Sequence, residues 1–354
     1  MANRRQFLTS LLAASAAPTI SWASVGNPSF IAAAKVGDDY ALCGITDTGQ
    51  IAFQVPLPAR GHAGAGHPTK PIAVAFARRP GTFALVIDCL TGAVMQDLTA
   101  PTGRSFSGHG MFLDDGNLLL TTEQIAETSE GFLGLWDASD NFKRIGAIPT
   151  HGLGPHDVKL LDDGATLVVA NGGIHTDAFG RTKLNIETMR PNLAYLSIDG
   201  LLDMVELDPE LSKNSIRHLA VRPDGLVGFA MQWQADPSFL PPILGLHKRG
   251  SDVILAEAPL NEAFAMQGYA GSIAFSGDGH EIAISSPKGG RLHRFTDTGE
   301  FIGATMQTDV CGLVTLPRGY MTSDGYGHIA AMENGALRHL AEHPVNWDNH
   351  IIAL

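Results

Sequence analysis

The sequence predicts an all-β fold, a seven-bladed β-propeller in which strands from both ends of the chain complete the last blade. Three observations lead to this prediction. A strand–turn–strand phrase recurs along the 354 residues, and 40 glycines with 20 prolines supply many turns. The repeats are about forty to fifty residues apart, with four short strands in each, which is typical of propeller blades.

The recurring phrase carries a histidine near the start of its first strand. Three copies are SFSGHGMFLDDGNLLLTTE with His109, GPHDVKLLDDGATLVVAN with His156, and IRHLAVRPDGLVGFAMQ with His218. Two later copies have the same form without a histidine. The predicted starts of the first six blades are therefore His62, His109, His156, His218, Gly271-Ser272 and Cys311.

The two ends of the chain are expected to share the seventh blade. The C-terminal DNHIIAL offers His350 and one last strand, while SFIAAAKV, YALCGITD and GQIAFQVPL near the N-terminus offer three more. Joining these strands closes the ring and leaves no free sheet edge. We therefore expect a single domain over residues 24–354.

Residues 1–23 are expected to be an export signal outside the fold. MANRRQFLTSLLAASAAPTISWA has a charged start, an apolar run of small residues and a cleavage site after Ala23. The pair Arg4-Arg5, followed by Gln-Phe-Leu, resembles a twin-arginine signal, and the alternative is an ordinary secretion signal. Both predict a periplasmic protein. No other segment reaches the ~18 continuous apolar residues of a membrane helix, so membrane insertion is not expected.

Charge and cysteine content limit the partners and the covalent cross-links. The formal net charge of −12 argues against nucleic acid or an anionic membrane surface as a partner. We expect a monomer. The three cysteines, Cys43, Cys89 and Cys311, leave at least one thiol unpaired within the chain. A disulfide between Cys43 and Cys89 stays open at this point.

The repeated histidine predicts a metal site, because the first strand of each propeller blade lines the central channel. Imidazole and thiol groups suit copper, zinc or iron, and make a calcium or magnesium site improbable. Since one ion takes about four ligands, some members of the ring would bind it and others would orient them. The alternatives are structural hydrogen bonding and acid–base catalysis without metal. The candidate ligands are His62, His109, His156, His218, Cys311 and His350.

The loops between second and third strands should open on the same face as this ring. One contains a long insertion, NGGIHTDAFGRTKLNIETMRPNLAYL. Their basic and polar residues predict an anionic ligand or an anionic metal chelate, unless they pair with local acids such as Glu187. The candidates are Arg78, Arg79, Glu123, Asn171, His175, Arg181, Lys183, Arg190, Gln232, Gln234 and Lys288. His67 is expected deeper in the fold, and His280 and His293 at the surface.

Three segments resemble a known bacterial family. FARRPGTFALVID, GPHDVKLLDDGATLVVANGGI and GRTKLNIETMRPNLAYL look like the domain-of-unknown-function 1513 family. Its members are secreted seven-bladed propellers, often encoded beside imelysin-type proteins and described as iron-regulated. The resemblance implies a periplasmic role near iron or metal acquisition, with periplasmic iron-uptake proteins as candidate partners. It supplies no established activity.

The leading functional hypothesis is a periplasmic propeller that binds a metal or metal complex in its histidine-lined channel and assists iron or copper acquisition. The cofactor would be iron or copper, with zinc as a third choice. One rival is an enzyme, a hydrolase or oxidoreductase that uses the same channel. Another is a protein-interaction scaffold, which would rather expose aromatic and arginine side chains on its faces. The sequence contains no nucleophile elbow, Walker loop, Rossmann fingerprint or CxxCH haem motif.

Overall fold

The computed structural model describes residues 20–78, 81, 83–177 and 182–354, and the export-type segment lies mostly outside them. These residues form seven four-stranded antiparallel sheets. Each sheet is one blade, and contacts between neighbouring innermost strands run round a closed ring. The predicted seven-bladed propeller is confirmed.

The strands are numbered β1–β28 along the chain. The innermost strands are β4 (Gly61–Gly66), β8 (Arg104–Leu113), β12 (Pro155–Leu160), β16 (Asn214–Val221), β20 (Ser272–Phe275), β24 (Val310–Thr315) and β28 (Asn346–Ala353). The second strands are β1 (Phe30–Val36), β5 (Ile72–Ala77), β9 (Leu118–Ile125), β13 (Leu167–Asn171), β17 (Val227–Trp233), β21 (Glu281–Ser286) and β25 (Tyr320–Asp324).

The third strands are β2 (Asp39–Ile45), β6 (Ala84–Asp88), β10 (Glu130–Asp137), β14 (Asn192–Ser197), β18 (Leu244–His247), β22 (Arg291–Thr296) and β26 (His328–Glu333). The outer strands are β3 (Ile51–Leu57), β7 (Ala93–Leu98), β11 (Lys143–Leu153), β15 (Gly200–Glu206), β19 (Ile254–Leu255), β23 (Phe301–Met306) and β27 (Ala336–Glu342). A short α-helix spans Leu260–Ala265, and 3-10 turns span Trp22–Val25, Asp114–Gly116, Ile186–Thr188 and Pro209–Leu211. Among the described helices, none has the length and apolar character needed to span a bilayer.

Glycine turns separate the first and second strands of several blades, as the sequence predicts. Gly116, Gly164, Gly225 and Gly279 have φ values between 69° and 93°. These backbone angles are in the left-handed region, where a Cβ atom is disfavoured, so glycine is the residue that fits. The recurring Asp-Gly motifs therefore form the turns that connect the innermost strand of a blade to its second strand.

The closing blade joins the two ends of the chain. Its strand order is β28-β1-β2-β3, and Phe30 of β1 lies opposite Ala353 of β28. Strand β28 also contacts both neighbouring inner strands, β24 and β4. Buried Trp347 and Ile351 of β28 pack in one apolar cluster with Cys43 of β2. The predicted closure by N- and C-terminal strands is confirmed.

The structure answers one question that the sequence left open and differs from one expectation. All three cysteines are free and buried, so Cys43 and Cys89 do not form a disulfide. His293 is not a surface residue: it is 1% exposed, and its ring packs against Phe301 with centroids 5.2 Å apart. Its Nε2 lies 3.3 Å from Glu262 of the short helix. This helix lies in the connection between β19 and β20, which precedes the blade of His293, and it covers the His293 side chain. His280 is exposed, as expected.

We expect the ring closure to be the most sensitive part of the fold. Ile351 is 4% exposed in the apolar cluster of the closing blade. Ile351→Ala should lower the free energy of unfolding by about 2–5 kcal/mol, because it removes buried methyl groups and leaves a cavity. Urea unfolding measures this loss. Ile302→Ala, at a position that is 40% exposed, is the matched control and should change stability by less than about 0.5 kcal/mol. Equal effects of the two substitutions would contradict the closure argument.

Candidate metal centre

β-Bulges interrupt most of the inner strands where their histidines lie. The pairing register shifts between Gly61 and Gly64, between Phe106 and Gly110, between Pro155 and Asp157, and between Ile216 and His218. The closing blade has a similar irregularity opposite β28. Strand β20, which has no histidine, pairs without an irregularity, whereas β24, which has Cys311 in place of the histidine, is irregular between Val310 and Leu313. Because a bulge bends its strand and re-aims side chains, these irregularities explain how the histidines reach the channel.

Five histidines from five consecutive blades converge in the channel, and we call this group the histidine cage: His62, His109, His156, His218 and His350. Neighbouring rings have centroids 4.7–5.8 Å apart. Four of the five are buried, and His156 is partly exposed. Two groups of three, His62 with His109 and His156, and His109 with His218 and His350, have ligand atoms within 4.8 Å of one another. Each group could hold a metal ion, and His109 belongs to both.

Every member of the cage has a buried ring nitrogen without a hydrogen-bond partner. These nitrogens are Nδ1 of His62, His156 and His218, and Nε2 of His109 and His350. Buried polar atoms are nearly always hydrogen-bonded, so five exceptions in one place need an explanation. A neutral imidazole nitrogen that carries a lone pair is the usual metal-binding atom of histidine.

Two buried aspartates face the cage. Asp157 Oδ1 lies 3.5 Å from His109 Nδ1, on the side of the ring opposite its unpartnered Nε2. Backbone amides of Val158 and Leu219 donate to Asp157 at 2.9 and 3.0 Å, which fixes the carboxylate between two blades. Carboxylates in this position orient metal-binding histidines and raise their basicity.

Asp348 lies beside His62, but on the side of the ring nitrogen that has no hydrogen-bond partner. Its Oδ1 lies 3.6 Å from His62 Nδ1, and its Oδ2 accepts a hydrogen bond of 2.5 Å from Arg60. Arg78 is also near, 3.8 Å from Oδ2. The sequence analysis missed Asp348, although its position two residues before His350 in the closing strand was the available signal.

Burial keeps four of the cage histidines, His62, His156, His218 and His350, neutral. It lowers the pKa of His62 to about 4, and burial together with the neighbouring imidazoles lowers the pKa of His156, His218 and His350 well below the ordinary value. Near neutral pH their lone pairs are therefore available without loss of a proton.

The two carboxyl groups remain ionised. Burial alone would raise the pKa of Asp157, but Lys159 and His109 outweigh it and hold that pKa well below its usual range. Burial also opposes ionisation of Asp348, whereas His62 and Arg60 lower the pKa of its carboxyl to about 2. The cage thus combines neutral nitrogen ligands with two nearby negative charges.

Cavities lie on both sides of the histidine cage. The lumen cavity, about 450 Å³, follows the inner strands and is lined by His109, His218 and His350 together with small residues such as Gly64 and Ala65. The mouth cavity, about 180 Å³, lies on the side of the loops between second and third strands. Its lining includes His62, Arg78, His156, Lys183, Arg217 and His218. The cage therefore separates two compartments of the channel.

The remaining ring positions do not join the cage. The Cys311 thiol lies 3.3 Å from the carbonyl oxygen of Asp348 and packs within the apolar cluster of the closing blade. Burial raises the pKa of this thiol to about 12, so the metal-binding thiolate form is suppressed. Ser272 lines the lumen cavity, and its hydroxyl lies 3.5 Å from the carbonyl oxygen of Leu313.

Part of the predicted polar set gathers at the mouth. Arg78, Lys183 and Gln232 line the mouth cavity. Gln234 accepts a hydrogen bond of 2.5 Å from Lys183 Nζ. Lys288 lies over the ring of Tyr269, another lining residue, 4.7 Å from its centroid.

Other predicted residues lie elsewhere. Glu123 is fully buried within its blade, where Arg144 donates to both carboxylate oxygens at 2.6 and 2.9 Å. Asn171 Nδ2 donates to Asn192 and to the carbonyl oxygen of Thr150, so it ties neighbouring strands together. Arg79 and Arg181 lie outside the described residues.

The remaining charged candidates have partners away from the mouth. Exposed Arg190 donates to Glu206 at 2.6 Å, and His175 Nε2 lies 2.8 Å from the Glu127 carbonyl oxygen. Lys213 donates to Glu187, so Glu187 does pair with a local base, although not with a predicted one.

Six residues that the sequence analysis did not select also line the mouth. They are Ser107, Ile174, Thr176, Arg217, Tyr269 and Asn349. Three of them are near a cage histidine along the chain: Ser107 is two residues before His109, Arg217 directly precedes His218, and Asn349 directly precedes His350. In a regular strand, alternate side chains point to opposite faces of the sheet, so some of these residues would be buried between blades. The bulges change this alternation and allow them to face the mouth.

The cage makes the stability of the metal-free protein depend on pH. The folded-state pKa of His62 is about 4, below the ordinary value near 6.5, so the unfolded chain binds more protons between these values. The His62 contribution is fully present above pH 6.5 and is lost as the pH falls towards 4. We expect a loss on the order of 3 kcal/mol from this residue by pH 4.

Urea unfolding of chelator-treated protein between pH 7 and pH 4 measures this dependence. His62→Gln should have a shallower pH dependence than the wild type, whereas the exposed-site control His280→Gln should keep the wild-type slope. Identical slopes for all three proteins would show that His62 is not held neutral by burial.

Comparison with known proteins supports the fold and the family. The family described as "Protein of unknown function (DUF1513)" matches residues 55–354, and no curated protein matches the chain. Hydrazine synthase from Kuenenia stuttgartiensis is similar in structure, with a TM-score of 0.60 and 12% identity over 87% of this chain and 90% of that one. At this identity the likeness concerns the fold alone. The chain belongs to the domain-of-unknown-function 1513 family, as its sequence motifs led us to expect.

Proposed function

We propose that this protein binds a transition-metal ion in the histidine cage of its central channel. The observation that carries the proposal is the convergence of five imidazoles, each with a buried nitrogen that has no hydrogen-bond partner. A purely structural role would leave these nitrogens bonded to neighbouring groups. Leaving a buried polar group unpaired costs about 1–3 kcal/mol, so an arrangement of five needs a compensating ligand.

The donor set selects the class of metal. Imidazole nitrogen suits copper, zinc and iron, whereas calcium and magnesium prefer oxygen. Metal–nitrogen bonds of about 2.0–2.1 Å bring ligand atoms to roughly 3–4 Å from one another. The ligand atoms of each group of three lie within 4.8 Å, so small side-chain rotations bring them to bonding distance.

The carboxylates support a cation at this place. Asp157 and Asp348 are ionised and lie next to ring nitrogens of His109 and His62. Their negative charges stabilise a bound cation in a buried site, where solvent screening is weak. They also restrict the rotation of the two rings, which lowers the entropic cost of binding.

We propose further that the protein acts in the periplasm and assists iron or copper acquisition. The export-type residues 1–23 support the periplasmic location. The iron-regulated setting attributed to the family that the sequence resembles supports iron, and the imidazole set is equally suited to copper. The metal would reach the cage alone or as an anionic chelate, with other periplasmic iron-uptake proteins as partners.

Removal of one central ligand should abolish metal binding. His109 belongs to both groups of three, so His109→Ala should weaken binding by at least 100-fold, while the wild type retains about one ion per chain. Elemental analysis after loading with Cu²⁺, Zn²⁺ or Fe²⁺ and gel filtration measures the bound metal. The exposed-site control His280→Ala should bind as the wild type does. Equal metal content in His109→Ala and the wild type would rule out the cage as the site.

Asp157 should act as a positioning residue for His109. Asp157→Asn removes the negative charge and keeps one oxygen, which can accept from the amide of Val158 or of Leu219 but not from both, because these amides donate to different oxygens of Asp157. We expect metal affinity to fall about 10–100-fold and the visible absorption band of the Cu²⁺-loaded protein to shift. Asp163→Asn, in the following exposed turn, is the control. If the affinity and the band both stayed at their wild-type values, Asp157 would have only a structural role.

A further inference from the structure

The mouth cavity has a strongly positive lining on the outer side of the histidine cage. Arg78, Lys183 and Arg217 contribute to it, and none of the described lining residues is acidic. Asp348, which does not line the cavity, contacts Arg78 at 3.8 Å and is also paired with Arg60 at 2.5 Å. In a protein with a net charge of −12, this cluster is a local exception.

The positively charged side chains at the mouth repel one another. Desolvation and the charges of Arg217 and Lys288 lower the pKa of Lys183 below its ordinary value. The atom that accepts the Lys183 hydrogen bond is the neutral amide oxygen of Gln234, at 2.5 Å. A negatively charged ligand would relieve this repulsion, because it would lie among three cationic groups in a partly enclosed space.

The mouth cavity also offers hydrogen-bond donors that suit oxygen atoms. Ser107 is 2% exposed and its hydroxyl has no partner. Thr176, Gln232 and Asn349 line the same space. A guanidinium group and an ammonium group, together with hydroxyl and amide donors, are the usual partners of carboxylate and phosphate oxygens.

We propose that the mouth cavity binds a small oxyanion of the carboxylate or phosphate type, which lies against the cage and completes the coordination of its metal ion. The second half of this proposal rests on the proposed metal site. The group of His62, His109 and His156 contributes two of the three histidines that line the mouth cavity, His62 and His156. An ion that takes about four ligands keeps one position there for an oxygen.

The size of the cavity limits the ligand. At about 180 Å³, the mouth cavity is smaller than the roughly 300–1,000 Å³ of sites for drug-sized molecules. It has room for an anion such as oxalate or inorganic phosphate together with a few water molecules. A large organic chelator would have to extend out of the mouth.

Calorimetric titration with oxalate and with inorganic phosphate, at low ionic strength, tests the proposal on metal-free and on Zn²⁺-loaded protein. We expect at least one of the two anions to bind the metal-free protein and to bind the Zn²⁺-loaded protein at least tenfold more tightly. Lys183→Gln and Ser107→Ala should each weaken binding, Lys183→Gln by tenfold or more. The control Arg190→Gln removes an exposed cation that is paired with Glu206 on the same inserted segment, and it should change affinity less than twofold.

The outcomes separate the anion site from the metal site. Absence of binding of both anions below 10 mM (roughly −3 kcal/mol), or equal binding by Lys183→Gln and the wild type, would overturn the anion site. Anion binding that is unchanged by Zn²⁺ on a protein that does hold Zn²⁺ would overturn the co-ligand role. If the protein held no metal, the proposed function would fail, whereas the metal-free titrations would still decide the anion site. Preference for oxalate or for phosphate identifies the carboxylate or the phosphate class.

Discussion

The closed ring of inner strands is the constraint on which the candidate site depends. Strand β28 pairs with β1 and contacts both β24 and β4, so the last residues of the chain lie beside a blade formed near its beginning. This closure brings His350 within 4.7 Å of His62, measured between ring centroids. It also carries Asp348 to the same ring. A propeller left open at this blade would lose one ligand and one orienting carboxylate, so fold and site are completed by the same contact.

The electrostatics of the channel change sharply along its axis. At the mouth lie Arg78, Lys183 and Arg217, which repel an approaching free cation. Deeper in the channel lies the histidine cage. The ionised carboxylates of Asp348 and Asp157 lie next to its His62 and His109. A cation is therefore stabilised in the cage but opposed on the way in from the mouth. The proposed oxyanion would resolve this conflict, since it would neutralise the mouth and present the metal to the nitrogens. The lumen cavity provides a second approach that lacks the arginines of the mouth.

The β-bulges in the inner strands, more than the regular propeller fold, determine which side chains form the candidate site. Propellers serve many unrelated functions, and structural similarity at 12% identity to another propeller carries no information about chemistry. The inner strands of this chain have an irregularity near each channel histidine and near Cys311 of β24, whereas β20 has neither of these residue types nor a bulge. Bulges leave backbone groups without sheet partners, so they persist where a side chain must be re-aimed. Arg217 at the mouth and His218 in the cage are adjacent residues, and the bulge between Ile216 and His218 allows both to contribute.

The sequence by itself determined the architecture and the convergence of the five histidines. Repeats of fixed length can bury their apolar faces only by stacking in a ring, and residues at equivalent places in a ring must meet at its axis. Only the tertiary structure decided the direction of individual side chains. Cys311 occupies an equivalent position and yet turns into the apolar cluster of the closing blade, while Glu123 pairs with Arg144 inside its own blade. Arg217 escaped prediction because a bulge shifts the alternation of faces by one residue. Asp348 escaped it because β28 has two extra residues relative to β1 between Trp347 and Ile351. The spacing of residues along the chain predicts which strand each residue belongs to. The groups that its side chain contacts come from neighbouring blades that are distant in sequence, and only the tertiary structure shows them.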